Sequence, residues 1–121
     1  MSKDACTVVV VDDEPGVLSV VCEVLEDDGY TVICLSHPRM TAELDEGSTK
    51  LFILDLMMPE LSGIALAQLL RHDRFSDIPM IAMSASPSML RAAEDSCLFQ
   101  DTLPKPFELN RLLALAERYA S

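Results

Sequence analysis

Basic residues are scarce in this chain: nine Lys and Arg stand against 20 Asp and Glu, for a formal net charge of −11. A phosphate backbone is held by clustered Lys and Arg. The nine here are scattered, so no nucleic-acid surface is expected, and any DNA contact would come from outside this chain. Long apolar runs are also missing. None approaches the roughly 20 residues that span a bilayer, and the opening Met-Ser-Lys-Asp-Ala lacks the charged and apolar regions of a signal peptide. The expected compartment is the cytoplasm, with no membrane partner. Cysteines occur at 6, 22, 34 and 97 with neither a Cys-x-x-Cys pair nor zinc spacing. Cys6, Cys22 and Cys34 lie in apolar stretches and read as buried, reduced thiols acting as small hydrophobes. There is no internal repeat, low-complexity tract or linker. At 121 residues and 13.3 kDa, residues 1–121 are expected to form one domain.

What is present is a fivefold alternation of strand and helix patterns. Cys6–Val11 is a continuous run rich in valine, the mark of a strand buried on both faces. An acidic first turn with Pro15 then opens a helix carrying Val17, Val21, Val24 and Leu25 at helical spacing, and Gly29 ends it. Thr31–Leu35 reads as a second strand. A short helix is expected from Pro38 through Met40 and Leu44, closed by Gly47. Leu51–Asp55 is the third strand, followed by a loop with Pro59. Ser62 caps a helix bearing Ile64, Leu66, Leu69 and Leu70. Ile78–Met83 is the fourth strand; Ser86-Pro87-Ser88 opens a helix with Met89, Leu90, Ala93 and Cys97. Phe99–Leu103 is the fifth strand, and the last helix runs from about Phe107 to Tyr119 with Leu109, Leu112, Leu113 and Ala116 on one face. Five such units with short connections imply a parallel α/β sheet covered on both sides, joined by right-handed crossovers.

Chemistry-bearing residues fall at the C-terminal ends of these strands, where open α/β sheets bind ligands. Asp12 and Asp13 follow the first strand, Asp55 ends the third, Ser84 follows the fourth and Lys105 lies just past the fifth. With a strand order of 2-1-3-4-5, strands one and three are neighbours and their carboxylates converge. Converging carboxylates repel, and a hard divalent cation relieves them; Mg²⁺ takes oxygen ligands and favours sites shared with a phosphate. A carboxylate beside such an ion is a competent nucleophile toward phosphorus. An ammonium and a hydroxyl can hold the remaining phosphoryl oxygens. Taken singly, Asp12 and Asp13 could merely cap a helix, Asp55 could end a strand, Ser84 could be a loop serine and Lys105 a solvated lysine. All five project at one edge of one sheet, which the separate readings do not explain.

Over essentially its whole length the chain resembles a bacterial two-component response-regulator receiver domain of the chemotaxis-regulator type. The matching motifs are Val-Val-Asp-Asp-Glu-Pro at 10–15, Leu-Asp-Leu-Met-Met-Pro at 54–59 with Gly63, Met-Ser-Ala at 83–85 and Leu-Pro-Lys-Pro-Phe at 103–107. The resemblance implies a flavodoxin-like, doubly wound (βα)5 fold in the order 2-1-3-4-5. It implies that Asp55 is the phosphoacceptor, that Asp13 and Asp55 ligate Mg²⁺ with the Met57 carbonyl, and that Asp12 supports a coordinated water. Ser84 would bond the phosphoryl group, Lys105 would pair with it, and Pro106 would follow a cis peptide bond. The implied partners are a histidine kinase or phosphotransfer protein and an output domain or downstream protein. The only catalysis implied is of the chain's own phosphorylation and dephosphorylation. The output surface would be the fourth helix, fifth strand and fifth helix, where Arg91, Asp101 and Arg111 suggest an ionic patch for a phosphorylation-promoted homodimer.

Two positions depart from that family's pattern. Thr102 stands where an aromatic residue usually changes rotamer with the Ser/Thr, and Leu98 stands where a glycine usually ends the fourth helix. Rival folds fit worse. A haloacid-dehalogenase-type enzyme has Asp-x-Asp after its nucleophile strand, whereas Asp55 is followed two residues on by Met57. An FMN carrier needs a Ser/Thr/Gly-rich phosphate loop where this chain has Asp-Asp-Glu-Pro. A degenerate receiver acting as a constitutive binding module is disfavoured by the complete five-residue site.

Overall fold

The computed structural model of the protein describes residues 6–45 and 47–120. Strands β1 (Thr7–Val11), β2 (Thr31–Leu35), β3 (Thr49–Asp55), β4 (Met80–Ser84) and β5 (Asp101–Pro104) form one parallel sheet in the order β2-β1-β3-β4-β5. The helices are α1 (Pro15–Asp27), α2 (Gly63–His72), α3 (Pro87–Ser96) and α4 (Leu109–Ala120). This is the doubly wound arrangement expected from the alternating pattern.

Alternation along the strands sorts their side chains into two layers. Val8, Val10, Leu51, Ile53, Ile81 and Met83 pack on one side with Leu18, Val21 and Leu25 of α1 and Leu112 and Leu115 of α4. Val9, Val11, Phe52, Leu54 and Met80 pack on the other with Leu66, Ala67 and Leu70 of α2. A smaller cluster of Leu56, Ala82 and Ala93 seats α3. Burial on both sheet faces explains why β1 reads as a run of valines, since neither side offers a place for a polar residue.

Helix ends follow local chemistry. Pro15 occupies the first turn of α1, and Gly29 at φ 101° completes its C-terminal cap. There the Gly29 and Tyr30 amides donate to the Glu26 and Leu25 carbonyls. Ser62 and Ser86 cap α2 and α3 by accepting from the Ala65 and Met89 amides.

Several details differ from the sequence reading. The segment after β2 is a 3-10 helix, Pro38–Glu43, and ends at Leu44 rather than Gly47. Its carbonyls at Thr41, Ala42 and Leu44 accept from the Arg74 guanidinium, and the Thr41 hydroxyl bonds back to the Pro38 carbonyl at 2.8 Å. These bonds satisfy groups that a longer α-helix would have paired internally. Leu69 of α2, expected on the buried face, is 58% exposed beside this short helix. The residue that closes α3 in the left-handed conformation is Cys97 (φ 61°), not Leu98, so Cys97 is exposed at a helix end rather than on the helix face. Of the thiols expected to be buried and reduced, only Cys6 is buried and outside a disulfide. Cys22 and Cys34 are bonded as a disulfide, and Cys34 is exposed because it sits on an edge strand. Because the second predicted helix is 3-10, the expected output surface comprises α3, β5 and α4. Among the described residues, no helix is long and apolar enough to cross a membrane.

Candidate functional site

Strand register brings the acidic residues together. Val11 lies level with Leu54, so Asp12, one residue on, lies level with Asp55 on the neighbouring strand. Asp55 in turn lies level with Met83, which places Ser84 one step further along β4, opposite Pro104. Lys105 follows Pro104 and is anchored by its own amide, which donates to the Ser84 carbonyl at 2.9 Å. The Lys105–Pro106 peptide bond is cis, as expected.

Each side chain is held locally. Asp12 is fully buried; one oxygen accepts from the Glu14 amide at 2.8 Å and the other from Lys105 Nζ at 3.0 Å. Asp55 is 2% exposed, accepts from the Met57 amide at 3.3 Å, and lies 3.5 Å from Lys105 Nζ. Asp13 is half-buried at the rim. Buried Ser84 accepts from the Ser86 amide at 3.0 Å, which ties its hydroxyl to the start of α3. The loop after Asp55 doubles back so tightly that a Cβ at Gly63 would fall 2.3 Å from the Asp55 carbonyl oxygen. Only glycine fits there, and the Gly63 amide donates to the Leu56 carbonyl at 3.1 Å.

Electrically the crevice is unbalanced. Asp12, Asp13 and Asp55 each present an oxygen within 4.8 Å of the others. The pKa of Asp55 is pushed up to about 7, chiefly by burial and then by repulsion from Asp12. A hydrogen bond with Asp13 adds to the rise, while Lys105 and the Met57 amide oppose it. Burial lowers the Lys105 pKa, but the Asp12 carboxylate, with Asp55 and Glu14, outweighs this and leaves it raised. One ammonium serving three carboxylates leaves net negative charge in a low-dielectric crevice, an environment that fits a hard divalent cation.

All five predicted side chains therefore meet at one edge of the sheet. Sequence reasoning missed Glu14, whose carboxylate lies 3.3 Å from Lys105 Nζ. Its position in the Asp-Asp-Glu-Pro run was visible, but a partner 91 residues away was not. The expected ionic patch is partly spent within the chain. Arg111 pairs with Asp101 at 3.0 Å, Tyr119 also donates to Asp101, and Arg91 is exposed.

A doubly wound sheet with a carboxylate crevice at its switch point, faced by a lysine, defines a class of α/β domains whose strand ends could hold a metal ion. Within that class the family model of the response regulator receiver domain matches residues 8–117, and the chain belongs to this family. It is 33% identical over 108 residues to the transcriptional regulatory protein CpxR of Escherichia coli K12, covering 88% of this chain and 46% of CpxR. It is 31% identical over 120 residues to the heme response regulator HssR of Staphylococcus saprophyticus, covering 93% and 52% of the respective chains. The chain thus spans about half the length of these curated relatives. Among solved structures, the response regulator TrrA of Thermotoga maritima, crystallised in complex with Mg²⁺-BeF, superimposes with a TM-score of 0.82. That match has 25% identity over 93% of this chain and 97% of TrrA. The chemotaxis regulator CheY4 of Vibrio cholerae gives a TM-score of 0.82 at 24% identity, covering 93% and 97%, which supports the fold.

Proposed function

We propose that the chain, residues 1–121, is a single receiver domain in which Asp55 accepts a phosphoryl group from a phosphohistidine on a kinase or phosphotransfer protein. The observation that carries this reading is the placement of the buried Asp55 carboxylate between the Asp12–Asp13 pair and the Lys105 ammonium. An Asp55 oxygen attacks phosphorus, the phosphorus–nitrogen bond breaks, and the imidazole leaves with its electron pair. Lys105 moves from its carboxylate partners to the new phosphoryl oxygens, and Ser84 turns its hydroxyl from the Ser86 amide to donate to another. Mg²⁺ fits the donor set of Asp13, Asp55 and the Met57 carbonyl, with Asp12 supporting a coordinated water; when bound it supplies charge neutralisation for the incoming phosphoryl group. Hydrolysis of the acyl phosphate by water resets the carboxylate, so the chain assists only its own phosphorylation and dephosphorylation.

The phosphoryl group adds roughly two negative charges and several acceptor oxygens. Ser84 shares its hydrogen bond with the residue that caps α3, so its movement is delivered directly to that helix. Thr102 is too small to follow as an aromatic residue would, and α3 itself carries the change. The α3, β5 and α4 surface then acts on an output domain or downstream protein. Homodimerisation there requires the Asp101–Arg111 pair to exchange partners, which costs little because exposed ion pairs are worth about 0–1 kcal/mol. A kinase partner supplied by ATP places the chain in the cytoplasm.

The test is incubation with acetyl phosphate or phosphoramidate, with and without Mg²⁺, read by intact mass. One phosphoryl group per chain is expected with the cation present and none in EDTA. Equal labelling of Asp55→Asn would refute the assignment.

A further inference from the structure

The bond between Cys22 and Cys34 lies outside the crevice and has no part in phosphoryl transfer. Cys22 is buried on the inner face of α1, and Cys34 is exposed on β2. Their Cα atoms are 6.4 Å apart, with a sequence separation of 12. Strand β2 is an edge strand whose one hydrogen-bonded strand neighbour is β1, and it packs beneath α1. The bond therefore fastens the free edge of the sheet to the helix that covers it.

The fold has an apolar core that does not depend on this link. Small domains that need disulfides are those unable to close a core, whereas here β1 and β4 are buried throughout, as is nearly all of β3, and both sheet faces are covered. The bond is also reachable: one of its two sulfurs belongs to an exposed residue. Buried structural bridges lack that access.

We propose that Cys22 and Cys34 form a reversible thiol–disulfide modification site that ties β2 to α1 when oxidised and releases it when reduced. The co-reactants are low-molecular-weight thiols and their disulfides. In reduction, a small thiolate attacks Cys34 Sγ, the protein S–S bond breaks, and Cys22 leaves as a thiolate that takes up a proton. A second small thiolate attacks the other sulfur of the mixed disulfide, releasing Cys34 as a thiol once protonated. Two small thiols are thereby oxidised to one small disulfide, and one protein disulfide is reduced to two thiols. Oxidation runs the same steps backwards. Cys6 and Cys97 lie outside the Cys22–Cys34 bond; Cys6 is buried, and exposed Cys97 can form only a separate mixed disulfide with the small thiol.

The chain equilibrated across a series of reduced and oxidised glutathione, quenched in acid, alkylated and mapped without reductant tests this directly. The linked Cys22–Cys34 peptide should disappear in a single two-thiol step as reduced glutathione increases. The melting temperature should fall by about 5–15 °C in parallel, as the closed loop opens. Cys34→Ser should abolish both changes, and Cys97→Ser should leave both in place. A pair that stays linked in excess reduced glutathione while the protein is folded would overturn the proposal, as would one that stays unlinked in oxidised glutathione alone.

Discussion

Two charged regions of this molecule obey opposite rules. At the C-terminal edge of the sheet, Asp12, Asp13 and Asp55 crowd around one lysine, and the Asp55 carboxyl is driven up to about 7 by burial and by Asp12. Across the molecule, two arginines find most of their acceptors among neutral groups, although Arg74 also pairs with Asp73 at 3.0 Å. Arg71 donates to the Leu98, Ser76 and Ile78 carbonyls and the Gln100 side chain at 2.6–3.1 Å, binding α2 to the loops flanking β4 and β5. Arg74 does the same for the 3-10 helix, with its shortest bond, 2.6 Å, to the Leu44 carbonyl. Both regions contain partly buried charge. The arginines are satisfied and serve as fasteners; the carboxylates are left in mutual repulsion, which a cation would relieve under the proposed function.

The comparison breaks most visibly if its two regions are mutated in parallel. Asp55→Asn should abolish phosphorylation while leaving the metal-free fold at least as stable, because it removes a carboxylate held above its ordinary pKa. Arg71→Met should do the reverse. Labelling should persist in the folded protein, while chemical denaturation shows a loss of roughly 2–4 kcal/mol as several carbonyls lose their donors.

The pH dependence sharpens the contrast. Burial and Asp12 push the Asp55 carboxyl up to about 7 in the folded chain, against 3.8 for an unperturbed aspartate, so the folded state binds the extra proton between those values. Metal-free stability should therefore be highest below about pH 4 as far as this group is concerned. It should decline as pH rises to about 7, by roughly 2–4 kcal/mol. Urea titrations of the wild type and Asp55→Asn should differ in this slope; parallel curves would count against the shift.

Saturating Mg²⁺ at about 100 times its dissociation constant should add about 2.7 kcal/mol, seen as a higher melting temperature. Asp13→Asn is the smallest effect. It should stabilise the metal-free chain by about 1 kcal/mol and weaken the response to Mg²⁺.

Much of this was legible because the site is written at strand ends. Alternation located Asp12, Asp13, Asp55, Ser84 and Lys105 at the correct edge, and the run at Cys6–Val11 identified a doubly covered strand, observed over Thr7–Val11. What escaped depended on contacts remote in sequence. Pro38–Glu43 reads as any short helix, and its 3-10 form is completed by Arg74, some 30 residues on. Leu69 has helical core spacing, but the short helix beside it leaves it uncovered. Cys22 and Cys34 looked like unrelated apolar positions until the packing of α1 on β2 set them side by side. Glu14 looked like a first-turn carboxylate until Lys105 was folded onto it.

The most direct test of the central claim is chemical trapping of the modified residue. An acyl phosphate is reduced by borohydride to the corresponding alcohol, so an aspartyl phosphate becomes homoserine at its own position. After acetyl phosphate and Mg²⁺ treatment, peptide sequencing by mass spectrometry should find homoserine at position 55 and intact aspartate at 12 and 13. Homoserine at Asp12 or Asp13 with position 55 unchanged would contradict the account.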